Sequence, residues 1–253
     1  MKKLTVIVIS YNFENWIEKC LCSIVEQQTN FDFDIFIRDD NSTDSTREVI
    51  QNFVEKQPDI SRFRLFFENE NLGVNKNIEL LISNCQSQYI SHIDGDDYFT
   101  NPHKLQSQVD FLEQNPEFVM HSTSYFHHLS DDTIHPSGWW YGPVKNVCDI
   151  QDIIGANYVG FGRTFRNLFD EFKKLWSNPN WPIFYHDDWF LNFFIMKWGK
   201  SYFPDDYPSG NYRITTTGKF AHLPNEKKSQ IEEECKVILM SEYHKFLEES
   251  NRI

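Results

Sequence analysis

The sequence predicts an α/β protein with a mostly parallel central sheet flanked by helices, and two observations support this. Between residues 4 and 120, short β-branched or aromatic runs alternate with amphipathic helical patterns, one pair in roughly every 25–30 residues. The runs are apolar almost throughout, as in strands that are buried on both faces of a parallel sheet. From about residue 130 the alternation is lost, and we expect an irregular extension of the same domain there.

The first half of this pattern contains two strands and two helices. The first strand is predicted over residues 4–10, where the side chains are apolar and mostly β-branched. Apolar residues at helical spacing then predict a helix over about 14–28. A second strand covers residues 33–39. Ser45 and Glu48 follow at the spacing of a capping box, which predicts the start of the second helix.

The second half of the pattern adds three strands and two helices. A third strand is predicted over residues 63–67 and a third helix near 75–84. The fourth strand lies within residues 89–98. Asn101–Pro102 then offer an N-cap and a first-turn proline to a further helix. Residues 118–128 have the composition of a fifth strand.

The C-terminal segment, residues 226–253, has a charged amphipathic pattern that predicts a helix over about 226–250. Its apolar side carries Ile231, Cys235 and Leu239. Helices that lie on membrane surfaces have a basic polar face, whereas this helix is rich in Glu. We therefore expect it to pack on the body of the protein or against a second copy of the chain, which would make a homo-oligomer.

The charge balance narrows the class of partner. The formal net charge is −13, which argues against a nucleic-acid or anionic-membrane surface because phosphate backbones bind basic faces.

The five cysteines lack a metal-finger spacing and indicate free thiols in a reducing compartment. The apolar run near the N-terminus is too short for a signal peptide, and no segment approaches the ~20 apolar residues of a membrane span. We expect a soluble cytoplasmic protein.

A cluster of carboxylates follows the fourth strand directly. Asp94, Asp96 and Asp97 surround Gly95, whose missing side chain allows a tight turn and close approach to a ligand. Two carboxylates at this spacing repel each other unless a cation lies between them, and oxygen ligands suit Mg²⁺ or Mn²⁺. An acidic surface turn is the alternative interpretation. Loops after the other predicted strands are also polar, and all of them belong to one edge of a parallel sheet, where ligands bind.

Four motifs on consecutive strand–helix junctions resemble the family 2 glycosyltransferases, which have the GT-A fold. They are residues 10–12 (Ser-Tyr-Asn), 39–44 (Asp-Asp-Asn-Ser-Thr-Asp), 69–77 and the Asp-Gly-Asp-Asp turn at 94–97. No single motif is specific, but their order and spacing are. The resemblance is strong over residues 4–120 and looser over 121–220.

The resemblance implies an inverting transferase with a Rossmann-like nucleotide-sugar fold. It implies a nucleotide-sugar half over residues 1–125, an acceptor-side half over 126–225 and the C-terminal helix beyond. The expected donor is a UDP-sugar, the expected cofactor is Mn²⁺ or Mg²⁺, and the expected acceptor is a glycan or a lipid-linked glycan, as in polysaccharide biosynthesis. A membrane-bound acceptor would bring the enzyme to the inner face of the membrane.

The resemblance also assigns residues to the donor. Asp40 matches the aspartate that reads the base, and the ring of Tyr11 would stack on it. Asp94 and Asp96 match the two acidic positions of the DXD motif, with Asp96 on the cation, and His222 is a candidate third metal ligand. The residues implied for nucleotide binding are Ser10, Tyr11, Asn12, Asp40, Lys76, Asn77, Asp94, Gly95 and Arg213. Simpler roles remain open: an Asx turn for Asp40, an exposed helical position for Lys76 and a surface position for His222.

Inversion requires a general base that takes the proton of the acceptor hydroxyl. Asp187 and Asp188 precede an apolar helical run and match an acidic pair that relatives carry ahead of a helix. We favour Asp188, with Asp187 as the second candidate. One of the two is expected to cap the helix instead. Aromatic residues 139–141 could stack on a sugar, although core packing explains them equally well.

Two other functions remain open from the sequence. Receiver domains of phospho-signalling proteins also place acidic residues after strands, and a nucleotide-sugar-binding protein without catalysis would keep the same donor motifs. The presence of Asp96 and Asp188 argues against the second. An NAD-dependent oxidoreductase is disfavoured because no Gly-x-Gly-x-x-Gly motif follows the first strand.

Overall fold

The computed structural model describes residues 2–129, 133–139, 145–157, 161–176, 187–204, 209–214 and 223–250. The strands are β1 (Leu4–Ser10), β2 (Phe33–Asp39), β3 (Phe63–Phe67), β4 (Tyr89–Asp94), β5 (Tyr98–Phe99), β6 (Phe118–Thr123), β7 (Phe126–Leu129), β8 (Ile134–Trp139), β9 (Val147–Cys148), β10 (Phe161–Arg166), β11 (Lys200–Tyr202) and β12 (Gly210–Ile214). The helices are α1 (Ile17–Val25), α2 (Thr46–Glu55), α3 (Val74–Asn84), α4 (Lys104–Gln114), α5 (Ile150–Gly155), α6 (Phe169–Trp176), α7 (Asp187–Met196) and α8 (Asn225–Ser250).

Within this part of the chain, the strands form an eight-stranded sheet in the order β3-β2-β1-β4-β10-β6-β11-β9 and a smaller sheet in the order β5-β12-β7-β8. Strands β1 to β4 are parallel to one another, and β10 is antiparallel to both of its neighbours. The residues of β1 alternate between two apolar clusters, one on each face of the large sheet. Helices α1, α2 and α4 cover one face, and α3 with α5 to α8 covers the other.

The first four predicted strands are confirmed. β1, β2 and β3 have the predicted bounds, and β4 begins at Tyr89 and ends at Asp94. All seven residues of β1 are buried, which explains why its sequence is apolar throughout without the alternation of a half-exposed strand. The prediction of a mostly parallel sheet flanked by helices is thus also confirmed.

The predicted start of α2 is confirmed but its capping box is wrong, and the predicted start of α4 lies two residues too early. Ser45 precedes α2, but its side chain accepts no hydrogen bond from the helix. Asp44 does so instead, because its Oδ1 accepts from the backbone N–H of Thr46 at 3.0 Å. Helix α4 begins at Lys104, two residues beyond the predicted proline. Asn101 caps the preceding turn through a 2.9 Å hydrogen bond from the N–H of His103.

Residues 118–128 do not form one strand. The chain turns at Ser124 and Tyr125, so that β6 pairs in the large sheet and β7 pairs with β12 and β8 in the small one. The chain beyond residue 126 is also more regular than its sequence pattern indicates. Its strand β10 lies between β4 and β6 in the large sheet.

Helix α8 packs on the body of the protein, as one of the two expectations had it. Ile231, Cys235 and Leu239 are buried in the same apolar cluster as helices α5 and α7. None of the helices described by the structure has the length and apolar character needed to cross a membrane.

Candidate functional site

The carboxyl ends of three parallel strands lie together at one edge of the large sheet. In the register of β1 with its neighbours, Ser10 pairs with Asp39 and Ile9 pairs with Asp94. Strands β2 and β3 lie on one side of β1, and β4 lies on the other. The edge between β1 and β4 is therefore the point where strand order reverses, which is where open α/β sheets bind ligands.

The loops after β1 and β2 are fastened to each other. The backbone N–H of Asn12 donates to Oγ of Ser42 at 2.8 Å, and Oδ1 of Asn12 accepts from the N–H of Thr43 at 2.8 Å. Asn12 has a φ of +57°, the left-handed conformation that Asn tolerates better than most residues. Ser10 is buried beneath these loops, and Tyr11 is 41% exposed beside them. The hydrogen bonds hold the two loops together and leave the ring of Tyr11 accessible beside them.

Asp40 uses both carboxylate oxygens inside the protein. Its Oδ1 accepts from the N–H of Leu72 at 2.7 Å, and its Oδ2 accepts from the N–H of Gly73 at 2.9 Å. The side chain is buried. Asp40 therefore holds the loop that precedes α3. A carboxylate oxygen has a second lone pair, so acceptor capacity remains for a ligand.

The two residues of α3 that the resemblance assigns to the nucleotide occupy different environments. Asn77 is buried behind the loop, where its Oδ1 accepts from Nε of Arg38 and its Nδ2 donates to the carbonyl of Gly73 at 2.8 Å. Lys76 is on the exposed side of the helix and pairs with Glu79 at 2.6 Å. Asn77 thus supports the loop, whereas Lys76 is bound to a neighbour on its own helix.

The acidic turn lies in contact with the end of β1, and this contact explains why a glycine occupies position 95. The N–H of Gly95 donates to the carbonyl of Ile9 at 2.8 Å. A Cβ at position 95 would lie 2.8 Å from Cδ1 of Ile17 and 3.0 Å from the Ile9 oxygen. A side chain here would force the end of the Ile17 side chain to move and would crowd the backbone of β1. The turn therefore presents its carboxylates at the rim of the sheet.

The electrostatics of the turn are those of like charges held close together. Burial and the charge of Asp94 raise the pKa of Asp96 to about 7, although Arg213 opposes this. Burial and the charges of Asp96 and Asp94 also raise the pKa of Asp97 well above its usual range. For Asp94 burial acts in the same direction, but contact with His92 and the charge of Arg163 outweigh it and lower its pKa. Its side chain is 45% exposed at the mouth of the site.

Arg213 is brought from β12 to the acidic turn. Its Nε donates to the backbone carbonyl of Asp96 at 2.9 Å, and its own N–H donates to Oδ1 of Asp97 at 2.7 Å. The guanidinium lies 5.5 Å from the ring centre of Trp16 and is buried. It is thus a positive group at the rim, as the resemblance implies, and it contacts the turn through backbone and side chain together.

Asp188 is the second residue of α7 and shares two electrostatic neighbours with Asp94. Its Oδ2 accepts from Nδ2 of Asn157 at 2.7 Å. The charges of both Asp188 and Asp94 partly offset the burial that lowers the pKa of Arg163, and they add to the burial that raises the pKa of Tyr212. Both carboxylates are therefore close enough to Arg163 and Tyr212 to act on them electrostatically. Asp187 is the first residue of the helix.

Some assigned positions lie outside the described residues. They are the side chains of Asp187 and Trp139, and residues Trp140, Tyr141 and His222.

The sequence analysis did not single out two buried residues of the site, His92 and Arg163. His92 is within β4, at a position that the pattern assigns to the core, and Arg163 is in β10. A charged or titratable residue inside an apolar strand was the available signal. Its meaning depends on the pairing of β4 with β10, which the sequence pattern does not show.

The donor set of the turn fits a divalent cation in part. Asp94 and Asp96 offer hard oxygen ligands, and a cation would offset both the burial and the charge of Asp94 that raise the pKa of Asp96. Across the residues that the structure describes, no three His, Cys, Asp or Glu side chains converge as a complete metal site would. Mg²⁺ commonly binds through one or two carboxylates together with substrate phosphates, so two carboxylates suffice.

Comparison with solved structures identifies the same fold. The S. aureus TarS fragment 1–349, solved in complex with UDP-GlcNAc, superposes with a TM-score of 0.68 at 16% identity over 90% of this chain and 64% of that one. A mannosyltransferase of Pyrobaculum calidifontis, solved with GDP-Man and Mn²⁺, gives a TM-score of 0.63 at 18% identity over 87% of this chain and 59% of that one. The architecture is therefore the GT-A arrangement.

Sequence comparison supports a narrower assignment. An uncharacterized protein of Mycobacterium bovis, Mb1547, is 35% identical over 197 residues, which are 75% of this chain and 52% of that protein. The chain thus spans about half the length of this relative. The family model for glycosyl transferase family 2 matches residues 5–197, from β1 into the end of α7. This chain belongs to the family 2 glycosyltransferases.

Proposed function

We propose that the chain transfers a sugar, with inversion, from a nucleoside diphosphate sugar to a hydroxyl group of a glycan or a lipid-linked glycan. The observation that carries the proposal is the shared rim, where Asp94 pairs with Ile9 near the end of β1, Asp39 is the last residue of β2 and Asp40 follows it. A UDP-sugar is the first donor to test, because the TarS fragment was solved with UDP-GlcNAc. GDP-mannose is the second, from the Pyrobaculum structure.

In this proposal Asp94 and Asp96 hold Mn²⁺ or Mg²⁺ against the donor diphosphate, with His222 as a candidate further ligand. A bound cation would act as a Lewis acid on the leaving nucleoside diphosphate. Arg213 adds a fixed positive charge at the same rim. Asp40 and Tyr11 would contact the base, and the loop that Asp40 holds would form one wall of the pocket.

Asp188 is the proposed general base. It lies near the start of α7, and Asn157 donates a hydrogen bond to its Oδ2 and thereby fixes the orientation of the carboxylate. The other oxygen is then the one that would take the acceptor proton. The electrostatic neighbours that Asp188 shares with Asp94 support a site in which acceptor and donor meet.

A thermal-shift panel of nucleotide sugars, with and without Mn²⁺, tests the proposal. We expect one donor to raise the melting temperature in a cation-dependent way, and Asp96→Asn to abolish the cation-dependent part. A matched control is Asp110→Asn, which removes the same charge from helix α4. Failure of every nucleotide sugar to stabilise the wild-type protein would contradict the proposal. Donor binding without hydrolysis or transfer would favour the non-catalytic binding protein instead.

A further inference from the structure

His92 connects the acidic turn to a buried arginine through its two ring nitrogens. It is 7% exposed and lies two residues before Asp94 in β4. Its Nδ1 is 3.0 Å from Nη2 of Arg163, and its Nε2 is 3.5 Å from Oδ1 of Asp94. Arg163 is 6% exposed in the antiparallel neighbour β10. The imidazole therefore lies between a cation and a carboxylate.

The chemistry of the two partners determines where the imidazole carries its proton. A guanidinium has only donors, so Nδ1 of His92 must accept from Arg163. A histidine with an accepting Nδ1 is neutral and carries its proton on Nε2. The nitrogen that faces Asp94 is thus the N–H group, and it can donate to the carboxylate.

With Nδ1 accepting from Arg163, His92 can act neither as a general base nor as a metal ligand. A general base needs a free lone pair, and a metal ligand also binds through a lone pair. In the described structure the lone pair of Nδ1 faces Arg163, and Nε2 carries the proton. What His92 offers the site is a single buried N–H group, 3.5 Å from Oδ1 of Asp94, which makes no completed hydrogen bond among the residues that the structure describes and is available to the carboxylate.

We propose that His92, held by Arg163 as the Nε2-protonated tautomer, is a positioning residue that orients Asp94 so that its Oδ2 faces the donor and its cation. This inference rests on the proposed function, because only that function gives Asp94 a donor and a cation to bind. Histidine-to-carboxylate contacts of this kind fix the rotamer of a ligating group, and their loss typically lowers metal affinity about 10–100-fold. Arg163 acts one step further away by fixing the tautomer.

Two substitutions separate the two nitrogens of His92. The amide of His92→Gln lies as many bonds from the backbone as Nε2 does, so it can keep the donor toward Asp94. The side chain of His92→Asn reaches only as far as Nδ1, so it keeps the contact with Arg163 and loses that donor. The test measures the affinity for Mn²⁺ by electron paramagnetic resonance of the free ion, first with Mn²⁺ alone and then with UDP or GDP added, without turnover.

We expect His92→Asn to weaken Mn²⁺ binding about tenfold or more and His92→Gln to retain most of the wild-type affinity. His121→Gln, at another buried histidine in β6, is the control and should bind like the wild type. Equal affinity in His92→Asn and wild type, with binding lost in Asp96→Asn, would overturn the role of His92 alone. Equal affinity in Asp96→Asn and wild type would instead contradict the proposed cation site.

A second measurement requires neither metal nor nucleotide. Nitrogen-15 chemical shifts of the histidine rings distinguish the two neutral tautomers, and the His92→Gln spectrum assigns the His92 signals. We expect a protonated Nε2 and an unprotonated Nδ1 in the wild type, with this pattern lost in Arg163→Met. A wild-type His92 that is protonated on Nδ1 would overturn the inference, whichever result the cation titration gives.

Discussion

The backbone N–H of Arg213 donates a 2.7 Å hydrogen bond to Oδ1 of Asp97, across 116 positions of the chain. This contact fastens the small sheet to the acidic turn that ends β4. Asp97 is buried and lies one position beyond the two carboxylates assigned to the donor. Its function in the structure is therefore to hold β12, and with it the Arg213 side chain, against the turn.

Two substitutions of Asp97 should separate the effect of its hydrogen bond on stability from the effect of its charge. We expect Asp97→Ala to lower the free energy of unfolding by about 1–3 kcal/mol, because the N–H of Arg213 loses its acceptor in a buried place. Asp97→Asn keeps an accepting oxygen and removes a charge that burial and two neighbouring carboxylates disfavour. It should be at least as stable as the wild type in urea unfolding. If both variants were equally destabilised, the charge of Asp97 would be what stabilises the protein.

Gly95→Ala should destabilise the fold. The added methyl group would lie 2.8 Å from Cδ1 of Ile17 and 3.0 Å from the oxygen of Ile9, and overpacking of this kind costs about 1–3 kcal/mol. Gly155→Ala is the control, because no atom lies within 4 Å of a Cβ built there. That variant should unfold at the wild-type denaturant concentration or slightly above it. A neutral Gly95→Ala would show that β1 and the turn are not in close contact.

Asp188→Asn should stop transfer without affecting donor binding. The asparagine can still accept from Asn157 but cannot take a proton, and a general base contributes typically about 10²–10⁴-fold to the rate. Transfer to acceptor and the dissociation constant of the donor are measured on the same preparation. Asp170→Asn, an exposed residue in the first turn of α6, serves as the control. Transfer at the wild-type rate would assign the base to another residue, with Asp187 next to be tested.

Asp40→Asn should weaken the loop before α3. One oxygen becomes an NH₂ group, which must then face either the N–H of Leu72 or that of Gly73. The unsatisfied donors cost about 1–3 kcal/mol. Calorimetry should show a lower melting temperature, and UDP binding should weaken with it. Asp32→Asn, on the surface, is the control. A melting temperature equal to that of the wild type would show that Asp40 does not hold the loop.

The buried thiols should react slowly at neutral pH. Burial raises the pKa of Cys85 to about 12 and, with Asp152, the pKa of Cys148 to about 11. A raised pKa leaves a smaller thiolate fraction, and the thiolate is the reactive form, so alkylation should accelerate only as the pH approaches those values. Cys22 is half-buried and should react first. Iodoacetamide labelling at pH 8, read by mass spectrometry, tests this. Uniform labelling of all cysteines in the native protein would contradict it.

The sequence was sufficient for the first half of the fold because each strand there carries its own signal. The runs in β1 and β2 are almost wholly buried and the run in β3 is partly exposed, but all three are short, rich in apolar residues and lie between polar loops, so their bounds could be predicted. Their carboxyl ends meet at one edge by the geometry of parallel strands. The donor-side carboxylates could therefore be predicted to lie together before any contact was known.

The second half lacked this kind of signal. In residues 118–128 the strand-like composition continues through Ser124 and Tyr125, although β6 and β7 belong to different sheets. The insertion of β10 between β4 and β6 depends on contacts distant in sequence, and it alone brings Arg163 beside His92. The capping prediction for α2 failed for a related reason, because Asp44 accepts from the N–H of Thr46 while Glu14, from the loop after β1, bonds both to Asp44 and to the N–H of Ser45.

The paired loops that carry Asn12 and Ser42 have a thermodynamic consequence. Because their hydrogen bonds and the left-handed turn at Asn12 form when the chain folds, an arriving ligand need not order them. Such a surface recognises a ligand by a shape that is already formed. The enthalpy of nucleotide binding should therefore respond little to changes made in the second half of the chain. Under the proposed function, the second half of the chain is thus free to diverge in sequence and alter which sugar or acceptor is chosen while this half of the pocket stays the same.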